Sequence, residues 1–149
     1  MKQRIFATTS FAALSAFLVA PAFADVTADQ VWQNWKEMGS TYGQSYTAGS
    51  EVRSGDTLTI TDLTIDMPSA TQQVKGTIPL VAFREIGDGR VEITMSDAYQ
   101  LKMTGKDAMD KATASTLAIA QDALVITASG DPAAISYDVA ANTIAFKVL

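Results

Sequence analysis

The chain of 149 residues contains neither cysteine nor histidine. Without histidine it lacks the usual general base near neutral pH, the commonest zinc ligand and every Ser-His-Asp or Cys-His device. Without cysteine it has no thiol nucleophile, no thiolate metal site and no disulfide to brace a small exported fold. Phosphate-binding glycine loops, Gly-x-Ser-x-Gly elbows and Ser-x-x-Lys pairs are also missing from residues 25–149. The Gly39-Ser-Thr-Tyr-Gly43 segment has the outline of an elbow, but its centre is Thr41 and it closes a helical pattern. Positive charge is scarce too, with 11 Lys and Arg against 16 Asp and Glu. That balance argues against nucleic acid and anionic head groups, both of which need clustered Lys and Arg.

Carboxylate chemistry is what these absences leave. Asp56, Asp62, Asp66, Glu85, Glu92 and Asp97 are spaced like the polar face and turns of a sheet, and no two of them are paired as a glycosidase requires. No Asp-x-Asp-x-Asp run offers calcium a loop. The residues therefore predict a protein that is not an enzyme and carries no metal or cofactor.

What is present begins with an export signal. Lys2 and Arg4 precede an apolar run over 5–20, and Ala22-Phe23-Ala24 gives a small-x-small cleavage site, so residues 1–24 read as a secretory signal cut after Ala24. Its loss makes the formal charge of −5 two units more negative and leaves no integral membrane segment. An exported chain with no disulfide-forming residue fits a Gram-negative periplasm.

Residues 25–43 predict an amphipathic helix. Thr27 and Gln30 form a capping box, Val26 and Val31 a hydrophobic staple, and Val31, Trp35, Met38 and Tyr42 recur on one face. Gly39 and Gly43 are the expected stops, and Trp32 is either the edge of the buried face or an exposed aromatic.

Residues 44–149 predict an antiparallel sheet. The stretch 91–103 alternates Val91, Ile93 and Met95, then Tyr99, Leu101 and Met103, around which the rest packs. Its one charged residue on the apolar parity, Asp97, is either a bend at Ser96-Asp97 or a carboxylate facing inward. The apolar phase also slips at Thr61-Asp62, which implies a bulge or a tight turn. Pro79 restricts its strand to an edge or a bulge. Gly87-Asp88-Gly89-Arg90 is a type I′ hairpin signal. In 105–114 an exposed loop with a helical Asp107–Lys111 pair is expected, and further turns at Gln121-Asp122, at 129–132 and at Ala141-Asn142. The final IAFKVL is mid-strand in character, so an exposed edge and a longer sheet are expected.

The predicted architecture is mainly β (α+β): an antiparallel meander, curved sheet or half-barrel, with one N-terminal amphipathic helix packed on it. Two non-enzymatic functions suit it. One is a structural or assembly domain of the cell envelope whose open edge recruits a strand from an envelope protein. The other is a carrier of an apolar ligand such as a lipid, with Trp32, Trp35, Met67, Phe83, Met95, Asp97, Tyr99 and Met103 as candidate lining. With the export signal, the Val-Trp-x-x-Trp-Lys segment at 31–36 and Asp-Thr-Leu-Thr-Ile at 56–60, the chain resembles the N-terminal part of an alphaproteobacterial family of Sec-exported proteins known as a domain of unknown function. The resemblance implies a periplasmic, repetitive, β-rich protein longer than this chain, and it brings no catalytic residues.

Overall fold

The structure is a computed structural model that describes residues 25–149, so the expected export signal over 1–24 lies outside the described residues. Helix α1 is Ala28–Thr41. Its capping box is formed as expected: the Thr27 hydroxyl accepts from the Gln30 amide at 3.3 Å, and the Gln30 side chain accepts from the Thr27 amide at 2.9 Å. The staple residues Val26 and Val31 are both buried.

The buried stripe of α1 differs from the one that large residues alone suggest. Ala28, Val31, Trp32 and Gly39 are buried with Trp35 packed beside them, while Met38 and Tyr42 are 46% and 73% exposed. At 100° per residue, Ala28, Trp35 and Gly39 mark the centre of the stripe, Trp32 falls within it and Met38 at its margin. Tyr42 is the C-cap, past the last helical turn. Gly39 is a contact rather than a stop: any Cβ there would collide with the Tyr46 ring. Gly43, at φ +71°, ends the helix.

Ten strands follow: β1 Ser45–Thr47, β2 Ser50–Ser54, β3 Thr57–Pro68, β4 Gln72–Gly87, β5 Arg90–Met95, β6 Ala98–Lys106, β7 Ala112–Asp122, β8 Val125–Asp131, β9 Ala134–Ala140 and β10 Thr143–Val148. Every pairing is antiparallel. Physically these are six long strands, most of them bent near the middle. β1 and β2 run along β3, which runs along β4. β5 and β6 share the other side of β4, β8 and β7 lie against them in turn, and β9 and β10 lie against β8 and β7. The turns expected at Gln121-Asp122 and Ala141-Asn142 are therefore bends in continuing strands, and β7 does not pair with β8. Local polarity marks a break in a ladder but does not tell a bend from a reversal.

The bends line up across the sheet as a crease. The Gly49 amide donates to the Thr61 and Asp62 carbonyls, and Asp62 kinks at φ 51°. The Ser96 amide donates to the Leu80 carbonyl, and the Ser96 hydroxyl accepts from the Leu80 amide at 3.0 Å. Gln121, the one buried polar residue among those described, spans the next gap: its Nε2 donates to the Met95 and Ser96 carbonyls and its Oε1 accepts from the Leu124 amide. Ala123 sits at φ 51°, and the Asn142 amide donates to the Asp122 carbonyl.

The crease corrects the reading of Pro79. β4 is the centre of the sheet, not an edge, and Pro79 falls between ladder positions: β3 pairs with Leu80 and Ile78 around it, β5 reaches only Val81, and β6 begins at Thr77. Its missing N–H costs no hydrogen bond there. At Asp62 the apolar phase changes while the register against β4 stays the same on both sides, so a kink, and neither a bulge nor a tight turn, keeps Leu58, Ile60 and Leu63 all buried. The β4–β5 turn is as expected, with Asp88 at φ 52° and Gly89 at φ 63°. The β6–β7 loop is not helical. Asp107 Oδ1 accepts from the Met109 and Lys111 amides, and the ion pair is Lys106–Asp110 at 2.8 Å rather than Asp107–Lys111.

α1 lies mainly over the β5 and β8 side of the crease, and only its C-terminal end crosses to β1, where Gly39 meets Tyr46. On that side Phe83, Ile60, Ile93, Val31, Val81 and Val91 are fully buried, each worth about 1.5–3 kcal/mol of apolar transfer, and the paired Leu63 and Ile78 are buried just across the crease. The sheet curls around the helix as an open half-barrel. Trp32 Nε1 donates to Glu51 of β2 at 2.9 Å, while Tyr137 of β9 donates to Asn34 at 2.7 Å, so helix residues two apart hold opposite edges of the sheet.

Candidate binding surface

The helix is fixed at its start. Glu85 Oε1 accepts from the Ala28 amide at 2.9 Å, and Arg53 joins Glu85 at 2.8 Å to Asp29 at 2.7 Å. The Ala28 amide, aided by Arg53 and opposed by partial burial, holds the Glu85 carboxyl below the ordinary range. A carboxylate at a helix N-terminus also meets the positive end of the helix dipole.

Beyond the crease the same face continues past the buried Leu63, Ile78 and Ile119, and away from Tyr46 no second layer lies over it. Tyr46, Ile65, Gly76, Leu101, Leu117 and Val148 form one row across six strands. Tyr46 lies against Gly39 of α1, which places this row on the helix side. Neighbouring rows are Met67, Val74, Met103 and Ser115, and Tyr99, Ile119 and Phe146. No charged side chain stands in these rows. The result is a shallow apolar trough.

The candidate lining residues divide accordingly. Trp32 and Phe83 are buried in the core and closed to a ligand, and the partly buried Trp35 packs against them, with ring centroids of Trp32 and Trp35 at 5.9 and 5.1 Å from Phe83. Met95 and Tyr99 pack against that core where the trough begins, and burial pushes the Tyr99 phenol above its ordinary pKa. Only Met67 and Met103 share a row in the open trough. Asp97 is exposed in the crease, its carbonyl accepting from the Gln121 amide, so it is a bend residue and not a liner. Leu101, Leu117, Ile119 and Phe146, absent from the candidate set, supply most of the floor. Their alternation is visible in the sequence, but their common face follows only from the register.

The trough ends at β10, which pairs with β7 alone among the described residues. Ile144, Phe146 and Val148 there are 43%, 66% and 66% exposed. A depression of about 380 Å³ at the β6, β7 and β10 strands is lined by Tyr99, Ile119 and Phe146 together with Ala98, Gln100, Ala118, Ala120, Ala145 and Lys147. Among the described residues no group of three acidic side chains could hold a metal ion, and no helix is long and apolar enough to cross a membrane. Compared with family models, curated proteins and solved structures, the chain matches none.

Proposed function

We propose that this chain is a non-enzymatic assembly domain of the Gram-negative periplasm, exported by its first 24 residues, whose sheet is completed by a strand received along β10. One observation carries the reading: β10 is an unguarded edge. It has no proline and no bulge, a single charged residue, Lys147, and three exposed apolar side chains in continuity with the trough. Proteins guard free edges against strand addition with charge, proline and bulges, and the opposite edge carries Glu51, Arg53 and the Gly49 bend. A photo-crosslinker at position 146 in the intact envelope should capture a protein partner, and one at position 52 on the β2 edge should not. Equal or absent capture at both positions contradicts the reading.

A second reading is favoured by the open trough itself. Its charge-free floor, with the adaptable Met67 and Met103, suits an apolar ligand such as a lipid. Organic extraction of the purified protein should then recover lipid, and less of it from a Leu101→Glu variant. Extracts free of lipid reject this second reading.

A further inference from the structure

The β7–β10 ladder shows which backbone groups β10 leaves free. Leu149 and Thr116 exchange both amide hydrogen bonds, at 2.8 and 3.3 Å. By the alternation of an antiparallel ladder, Lys147 and Ala145 also direct their groups at β7, opposite Ala118 and Ala120. The N–H and C=O of Ile144, Phe146 and Val148 therefore point to the open edge. These are also the three residues whose side chains extend the apolar face.

We infer that the strand received at this edge is β10 of a second copy of the chain, antiparallel about a two-fold axis at Phe146. The inference rests on the assembly reading above and names its partner. In this register Phe146 faces its own counterpart and Ile144 faces Val148, so every outward N–H and C=O of the three residues finds a partner on the other copy. The side chains agree with the backbone. Ala145 stands opposite Lys147, the smallest side chain beside the one charge, and the apolar row of each trough runs into that of its neighbour. Of the registers displaced by two residues, one sets Val148 against Asn142, outside β10, and the other sets Lys147 against Lys147. A displacement by one residue opposes groups already bonded to β7. A two-fold contact of this kind uses the same patch twice and closes, so it stops at a dimer.

The cysteine-free chain makes the register testable. Facing residues in a hydrogen-bonded pair have Cα atoms about 5.5 Å apart, inside the range that a disulfide spans. Phe146→Cys should therefore oxidise to a covalent dimer. Val148→Cys alone should not, because its counterpart is four residues distant, about 13 Å, whereas a mixture of Val148→Cys and Ile144→Cys should give the heterodimer. The unmodified protein should sediment as a dimer, and Phe146→Asp, which sets two carboxylates face to face at an exposed position, as a monomer that keeps the wild-type circular dichroism spectrum and whose melting no longer depends on concentration. A monomeric wild type without a Phe146→Cys dimer, or equal crosslinking at 146 and 148, overturns the second-copy proposal. The two readings then separate: if that monomer binds a synthetic peptide of alternating Val and Thr, and Phe146→Pro abolishes the binding, strand assembly survives with another partner. If no such peptide binds, the assembly reading fails as well.

Discussion

The two sides of the crease are made of the same strands and the same alternation, yet one is a core and the other, past the buried Leu63, Ile78 and Ile119, becomes a surface. Where α1 lies, Val81, Phe83, Val91 and Ile93 are fully excluded from water. Beyond it, Leu101, Met103 and Leu117 stay half-exposed and Phe146 more so, although their strands are paired just as regularly. Sheet pairing satisfies the backbone on both sides; a second layer is what turns an apolar face into a core. The molecule thus holds itself together on one side and keeps an unspent apolar surface on the other.

The largest test of that difference is a pair of truncations. Phe83→Ala should cost about 3–5 kcal/mol in denaturant unfolding, because it removes the ring on which Trp32 and Trp35 pack. Leu101→Ala on the open side should cost about 1 kcal/mol or less, since its site is already partly hydrated. Comparable losses would erase the distinction.

The lid itself can be loosened next. Gly39→Ala adds a favourable helix former, worth about 1 kcal/mol alone. It also drives a methyl into the Tyr46 ring, and the net result should be a loss of about 1–3 kcal/mol. A more stable Gly39→Ala protein would show that the helix is not seated as described.

Removing the charge at the helix start should have a smaller effect. Glu85→Gln should lose about 1 kcal/mol at neutral pH, as a charged acceptor for the Ala28 amide becomes neutral. Because the fold lowers the Glu85 pKa, its contribution is complete above the ordinary glutamate range, about 4.3. It disappears as the pH falls through the depressed native value. The wild type should therefore lose stability over that acid interval more steeply than Glu85→Gln. Parallel pH profiles would remove Glu85 from the account. Smallest of all, Met103→Ser in the trough should shift stability by less than about 1 kcal/mol while lowering the yield of any extracted lipid.

Much of this organisation is legible in the residues. Thr27 with Gln30, the Asp88-Gly89 turn and the phase slip at Asp62 are local signals, and each sits in the structure as its chemistry requires. Signals that depend on distant partners read less well. Ser96-Asp97, Gln121-Asp122 and Ala141-Asn142 all look like punctuation, but only the register shows that they are one crease and not three reversals. Pro79 looks like the mark of an edge or a bulge, and stands in a central strand because the crease passes through it. For the binding surface, Met67 and Met103 could be chosen from their parity. Trp32, Trp35 and Phe83 could not be told from lining residues, because core and trough share one alternating pattern and differ only in whether a helix lies over them.

Amide hydrogen exchange tests the division most directly, measured on Phe146→Asp so that no second copy protects the edge. The amides of Phe83, Ile93 and Ile126 should exchange only at the rate set by global unfolding. Those of Leu101, Leu117 and Ile119 should exchange faster, by a factor on the order of 100, through local opening of the uncovered side. Equal protection on both sides of the crease would contradict the claim that α1 makes a core of one half and leaves the other as a surface.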